Sequence, residues 1–281
     1  MKLDGKILAQ EIYNQLLVKV KKSKKNGSTP TLAVLLIGDL LPSKIYVEQK
    51  QKHAKAIGAK VVVYTYPTTV KKETLLKKLL ILNNDNKTHG IIIQQPLPSH
   101  LSADELLHVV ENEKDVDGLA KETNFVFPLS LALLRVLQEV FDLEKAKGTF
   151  MSWLLKQRIV IVGKGKTGGG PLFHTLTKLG VKPQVVDSKT KNALVLYKNA
   201  DIVISAVGKK NVVTGKMIKK GAIVIGVGQH RENDGKLHGD FNQTDIAKVA
   251  KYYTPTPGGM GALNVAFLME NVVKAAKQQK K

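Results

Sequence analysis

Ile159-Val160-Ile161-Val162-Gly163-Lys164-Gly165-Lys166-Thr167-Gly168 is the stretch on which the fold turns. Four successive branched apolar residues predict a strand buried on both faces, as in a parallel sheet. The next six fit G-x-G-x-x-G, and Pro171–Leu179 then reads as a helix. The glycine pattern alone is weak. Strand, glycine turn and helix in that order meet the structural requirement for holding a dinucleotide pyrophosphate. Gly163 is expected to permit the tight turn, Gly165 to let the backbone approach the pyrophosphate, and Gly168 to let helix and strand pack closely. The helix start offers unpaired N–H groups to phosphate, which puts Lys164, Lys166 and Thr167 on the same cofactor-binding turn. A second strand, Gln184 to Asp187, ends about 20 residues on, where an acid can bind a ribose 2′-hydroxyl. Asp187 would repel a 2′-phosphate and favours NAD. Lys164, Lys166 and Lys189 favour NADP, and the balance leans slightly to NAD.

Working outward, the same alternation continues on both sides. Ile202–Ile204 and Ala222–Ile225 extend the sheet after the glycine turn. Before it, strands are predicted at Leu32–Ile37, Val61–Tyr64 and Gly90–Ile93. Helices are predicted over 6–22, from Ser43 (a candidate N-cap) to Ile57, over 70–82, and over 102–111 with Asp104 and Glu105 in its first turn. Strands alternating with helices imply parallel pairing through right-handed crossovers. Residues 129–147 read as one long helix, and 261–277 as the last. The expected architecture is two α/β domains with a cleft between them, the second a Rossmann-type doubly wound parallel sheet. Residues 1–135 would form the first domain and 136–260 the second, with the C-terminal segment 261–281 packing back on the first.

At 281 residues, the length suits two domains. An apolar content of 43% supports a packed core. The absence of cysteine excludes disulfides and cysteine nucleophiles. No apolar run approaches the ~20 residues needed to span a bilayer, and the start lacks the apolar core of a signal peptide. A cytoplasmic protein is expected. The seven histidines show no metal-ligand spacing, so no metal is expected. The net charge of +21 comes from lysine; Arg135, Arg158 and Arg231 are the only arginines. Scattered lysines and an aromatic content of 5% fit a solvated surface better than a nucleic-acid interface. Such a field also attracts anionic small molecules.

Three groups lie just past strand ends, where parallel sheets gather ligands. Tyr46 and Lys50 share a helix face at i and i+4. Gln94 ends the third strand and leads into Gln95-Pro96-Leu97-Pro98. Lys114-Asp115-Val116-Asp117-Gly118 forms an acidic turn. Each alone is an ordinary surface feature. Together they resemble the bifunctional methylenetetrahydrofolate dehydrogenase/cyclohydrolase family. Ser43 to Lys50 is similar to its S-x-x-Y-x-x-x-K, Gln94 to Pro98 to its Q-L-P-L-P, and Lys114 to Gly118 matches K-D-V-D-G. Ala200 to Gly208 is similar to its A-D-I-V-I-S-A-V-G, Gly239-Asp240 to its G-D pair, and Pro255 to Gly261 to its P-V-P-G-G-V-G. The likeness spans nearly the whole chain in order.

The resemblance implies a homodimer that oxidises 5,10-methylenetetrahydrofolate with NADP or NAD and hydrolyses the methenyl product to 10-formyltetrahydrofolate. It implies that Tyr46 stacks on the folate rings, Lys50 is the base or proton shuttle, Gln94 holds Lys50, and Asp117 accepts hydrogen bonds from the pterin. Ser43, Pro257, Gly258 and Gly259 fall on the substrate side, and Val207 and Gly208 on the cofactor side. Partial burial and a cationic substrate would lower the pKa of Lys50 and free its amine to take a proton from water.

The chain also departs from the family. G-R-S-x-x-V-G-x-P is Gly163 to Pro171 here, without the Arg-Ser pair, and C-H-S-R-T is Val186-Asp187-Ser188-Lys189-Thr190. P-C-T-P is missing, with Pro128-Leu129-Ser130-Leu131 nearby. V-I-D-V-G reads Val224-Ile225-Gly226-Val227-Gly228, and G-P-M-T reads Gly261-Ala262-Leu263-Asn264. The folate-side motifs are kept more fully than the cofactor-side ones. Three readings compete with the bifunctional one: cyclohydrolase activity alone, another two-domain dehydrogenase, which would give no reason for Tyr46, Lys50, Gln94 and Asp117 together, and a basic nucleic-acid-binding protein.

Overall fold

The apolar runs form strands and the amphipathic stretches between them form helices. A computed structural model describes residues 1–232 and 235–279. The first half runs α1 (Gly5–Lys25), β1 (Thr31–Ile37), α2 (Leu41–Ile57), β2 (Lys60–Tyr66), α3 (Lys72–Asn84), β3 (Gly90–Ile93) and α4 (Ala103–Val109). Helices α5 (Pro128–Leu143) and α6 (Phe150–Leu154) follow. Then come β4 (Ile159–Val162), α7 (Gly169–Lys178), β5 (Gln184–Val186), α8 (Ala193–Asn199), β6 (Ile202–Ser205) and β7 (Ile223–Gly226). The chain finishes with β8 (Gln229–Arg231), β9 (Leu237–Gly239), α9 (Gln243–Ala247), β10 (Tyr252–Tyr253) and α10 (Met260–Gln278).

Two compact units result. One comprises Gln10–Pro128 and Val265–Lys281, the other Met1–Ala9 and Leu129–Asn264. The sequence reading set the boundary at 135 and gave the chain start to the first domain. The first residues instead go with the second unit, where Leu3 N donates to Tyr253 O and Tyr253 N to Met1 O, which extends the sheet beside β10. Of the predicted C-terminal segment 261–281, Lys280 and Lys281 lie outside the described residues.

In the first unit a parallel three-stranded sheet has the order β2-β1-β3. Central β1 is buried along its whole length, which explains its unbroken apolar sequence. Ala33, Leu35 and Ile37 share a face and pack with Leu75, Leu79 and Leu82 of α3 and Leu106 of α4. Helix α4 is capped by Ser102, whose side chain accepts from Glu105 N. Helix α2 starts at Leu41 without a side-chain cap, so Ser43 lies inside its first turn and is not the N-cap. From α10, the buried Asn271 Nδ2 donates to Val116 O at 2.9 Å and Val126 O at 3.0 Å, tying down the segment that carries Asp117.

The second unit holds a parallel five-stranded sheet of order β10-β7-β6-β4-β5. Counted within the unit this is the doubly wound order 2-1-3-4-5, which places the topological switch point between β4 and β6. Its expected strands all form. The long helix predicted over 129–147 stops at Leu143, because Lys145 (φ 48°) and Gly148 (φ 88°) leave the helical region. A Thr149–Ser152 capping box then starts α6. Helix α8, the β8–β9 hairpin and β10 were not foreseen, being too short to carry a period. The core of this unit gathers Val160, Val162, Val203, Val224 and Phe241.

Asn271→Ala is expected to leave two buried carbonyls without a donor and to lower stability by about 1–3 kcal/mol, read as a shift of the urea midpoint at unchanged slope.

Candidate active site

In the first unit the chemistry centres on Lys50. Helix α2 presents its side chain one turn after the half-buried Tyr46, and only 8% of Lys50 is exposed. Its Nζ donates to Gln94 Oε1 at 2.8 Å. Gln94 directly follows β3, where its N–H makes the next ladder bond, to Leu35 O at 2.9 Å. Its Nε2 donates to Gln95 O at 2.8 Å, which turns Oε1 toward the amine. Ser43 Oγ donates to the same carbonyl at 3.3 Å, so a buried hydroxyl links the start of α2 to this strand end.

The acidic turn divides its labour. Lys114 Nζ donates to Leu82 O, Asn83 O and Asp85 O at 2.8, 2.6 and 2.9 Å, capping the C-terminal end of α3 with a positive charge. The Asp115 carboxylate accepts from Leu119 N and Ala120 N and closes the turn. Val116 is wholly buried. Asp117 is left as the acid whose charge acts on Lys50.

Burial moves both of these groups toward neutrality. The Lys50 amine is held below the usual lysine range by loss of water, against the opposing pull of Asp117. Burial raises the Asp117 carboxyl, Lys50 counteracts, and the nearby Asp115 adds to the rise. An amine with a lowered pKa, fixed by an amide and influenced by a nearby carboxyl, is suited to accept and return a proton.

The second unit presents the glycine turn at its switch point. Gly163 takes φ 89°. The close helix–strand packing expected of Gly168 belongs instead to Gly169: a Cβ there would lie 1.9 Å from Gly163 O, whereas one at Gly168 would meet only ordinary contacts at 3.6 Å or more. A Cβ on Gly165 would meet nothing within 4 Å, leaving its backbone open to a ligand, and α7 begins at Gly169. The turn carries Lys164, Lys166 and Thr167 and no acid. This arrangement fits a pyrophosphate.

Asp187 follows β5, exposed, its Oδ1 accepting from Lys189 N at 2.9 Å and Thr190 Oγ1 at 3.0 Å. Those bonds hold its carboxyl below the usual range, so it stays charged. Ser188 and Lys189 are exposed in the same turn. Pro257, Gly258 and Gly259 belong to this unit, in the turn before α10, with Gln243 Nε2 donating to Thr256 O at 2.7 Å.

The sequence noted Asp240 as part of a motif but gave it no role. It has no exposed surface. One oxygen accepts from Ser205 Oγ at 2.7 Å and Val207 N at 2.8 Å, the other from Gly208 N at 2.7 Å and Lys209 N at 3.0 Å. A single carboxylate thus shapes the loop after β6, on the other side of the switch point from the glycine turn. An acid directly after a short polar strand gives no periodic signal. Among the described residues no group of three or more His, Asp or Glu could hold a metal ion, and no helix is long and apolar enough to cross a membrane.

A Rossmann-type unit with an open glycine turn and an α/β unit carrying a buried lysine, in one chain, define a two-domain enzyme of the NAD(P)-dependent class. The family model of the tetrahydrofolate dehydrogenase/cyclohydrolase catalytic domain matches residues 3–117, and that of the family's NAD(P)-binding domain matches residues 148–280. The chain belongs to the tetrahydrofolate dehydrogenase/cyclohydrolase family. It is 36% identical to the bifunctional protein FolD of Ligilactobacillus salivarius, over 98% of this chain and 96% of that one. The crystal structure of the bifunctional enzyme FolD, a methylenetetrahydrofolate dehydrogenase/cyclohydrolase from Campylobacter jejuni, superposes with a TM-score of 0.91 at 33% identity, covering 99% of each chain. The Trypanosoma brucei methylenetetrahydrofolate dehydrogenase-cyclohydrolase, complexed with NADP cofactor and inhibitor, gives 0.88 at 28% identity, covering 99% of this chain and 97% of that one.

Asp240→Ala is expected to unpair three loop N–H groups and the Ser205 hydroxyl, raising KM for the dinucleotide about tenfold or more. Hydrolysis of methenyltetrahydrofolate, which needs no dinucleotide, is expected to stay near wild type in the same preparation, which separates loop shape from misfolding.

Proposed function

We propose that this chain oxidises 5,10-methylenetetrahydrofolate with NAD(P) and hydrolyses the resulting methenyl compound to 10-formyltetrahydrofolate. The observation that carries the reading is the buried Lys50 amine, fixed on Gln94 and under the influence of the Asp117 charge. The dinucleotide, when bound, supplies hydride acceptance; Lys164, Gly165, Lys166 and Thr167 would hold its phosphates and Asp187 its ribose. The first unit's residues do the rest. Tyr46 offers a ring for the folate to stack on, and Asp117 an acceptor for the pterin N–H groups. Water attacking the cationic methenyl carbon must lose a proton, and the Lys50 amine takes it. Gln94 keeps the amine in place whether or not it holds that proton, because Oε1 accepts from either form.

The charged Asp187 supports NAD over NADP, since a 2′-phosphate would meet a carboxylate there. The homodimer and the cytoplasmic location belong to the same reading and rest on family resemblance.

The test is turnover of methylenetetrahydrofolate with NAD and NADP separately, plus direct hydrolysis of methenyltetrahydrofolate. Lys50→Met is expected to lower hydrolysis by about 10²–10⁴; full hydrolysis in that variant would overturn the assignment. Wild-type hydrolysis should rise with pH through the lowered Lys50 pKa, because only the free amine accepts a proton. Asp187→Ser is expected to improve kcat/KM for NADP relative to NAD; an unchanged ratio would remove Asp187 from cofactor choice.

A further inference from the structure

The strands of the first unit have a second end. Lys50, Gln94 and Asp117 serve the C-terminal end of the sheet. At the opposite end, where β1, β2 and β3 begin, the loops 26–30, 58–60 and 85–89 surround a cavity of about 880 Å³, with Ala276 and Gln279 at the end of α10 closing one side. That volume lies within the range of small-ligand sites.

The charge of the lining is one-sided. Lys24, Lys60 and Lys87 face the cavity, and no acidic side chain lines it. None of the three is in an ion pair among the described residues. The ends of α1, α2 and α3 point the same way, and bare helix C-termini would offset the lysines. That offset is reduced by capping: Gly27 N donates to Lys24 O, Ala59 N to Ala54 O, and Lys114 caps α3. The one acid in these three loops, Asp85, accepts from Lys87 N and Thr88 Oγ1 and its charge is shared between Lys114 and Lys87, so three lysines against one such carboxylate leave the cavity positive.

The floor is polar and built. His89 is only 6% exposed. Its Nδ1 accepts from Thr31 N at 3.2 Å, which leaves the proton on Nε2, 3.3 Å from Ser28 Oγ. The imidazole N–H thus satisfies an acceptor lone pair of Ser28 and frees that hydroxyl to donate. Gln279 Nε2 donates to His89 O at 2.9 Å and holds the residue from behind. Thr29 and Asn86 add further polar side chains. A merely soluble surface needs its lysines spread out; here three converge on one concavity with hydroxyl and amide donors between them.

We propose that this cavity is a binding site for a small polyphosphorylated anion, separate from the folate and dinucleotide sites and independent of the activity assigned above. No Phe, Tyr or Trp lines it, and the His89 ring is buried in the floor with both nitrogens engaged, so recognition rests on phosphate groups and a nucleobase adds nothing.

The test is calorimetric titration of the whole protein with sodium tripolyphosphate. It is run with the dinucleotide site saturated, at about 0.1 M salt, where surface charges are already screened beyond about 10 Å. One-to-one binding is expected, weakened about tenfold or more in Lys60→Ala/Lys87→Ala. It should persist in Lys216→Ala/Lys220→Ala, which removes the same charge from an exposed stretch of the second unit. ATP should bind no more tightly than tripolyphosphate; clearly tighter ATP binding would overturn the phosphate-only recognition. No binding, or equal loss in both double variants, would reduce the cavity to a diffuse basic surface and overturn the proposal. These lysines are exposed, so folding is expected to survive, and unchanged methenyltetrahydrofolate hydrolysis in both variants would verify it.

Discussion

Taking an amine out of water is costly unless its surroundings replace the lost hydration or let it drop its proton. At Lys50 a side-chain amide replaces part of that hydration and burial lowers the hold on the proton, and much of the first unit is arranged around it. Among the described residues its hydrogen bond goes to a side-chain amide that cannot rotate away, because the other end of that amide is tied to Gln95 O. Ser43 grips the same carbonyl, so the strand end and the helix bearing the amine are coupled through a single peptide oxygen. The nearby carboxyl of Asp117 is half-buried, and it is kept there by a turn whose other members are purely structural. Lys114 caps a helix, Asp115 closes the turn, and Asn271 reaches from α10 to pin the segment. Removing water thus lowers one pKa and raises its neighbour, a combination suited to moving a proton rather than storing charge.

The second unit solves the opposite problem. Asp240 is a buried acid, and four donors surround it where Lys50 has one acceptor. An anion so fully paired serves shape, holding the loop after β6 in one conformation. That loop and the glycine turn leave neighbouring strands at the switch point, the one place in an open parallel sheet where consecutive loops diverge and leave room for a ligand. Both centres sit at C-terminal strand ends because there the chain leaves the ladder and its side chains are released from sheet packing.

The sequence made the strands and long helices legible because burial on one or both faces imposes a period. β1 and β4 were visible as unbroken apolar runs, and α1 and α10 as apolar stripes. What it hid were elements too short for a period, the hairpin and β10 among them, and the break after Leu143, which depends on two residues entering left-handed backbone. Lys50, Gln94 and Asp117 lie 44 and 23 positions apart in order. Only motif resemblance brought them together beforehand, and the fold supplies the reason in strand ends that converge. Ser43 was given the wrong backbone role because its hydroxyl serves another segment instead of its own helix.

The departures from the family motifs fall mainly in the second unit, and they are local exchanges. The motif's second invariant position is met by Gly169, where a Cβ would strike Gly163 O; the extra glycines at Gly165 and Gly168 add freedom without removing that contact. The aspartate expected in V-I-D-V-G is Gly226, and a Cβ there would lie 2.9 Å from the ring of Phe241, the residue after Asp240. A large apolar side chain from β9's exit therefore fills the space that a side chain on β7 would occupy, and Phe241 joins the core of the unit. The lost Arg-Ser pair has no such structural replacement: it leaves the backbone cradle intact and changes only which charges surround it. The departures thus bear on which dinucleotide is preferred, through Asp187 and the lysines of the turn, more than on whether one can be held.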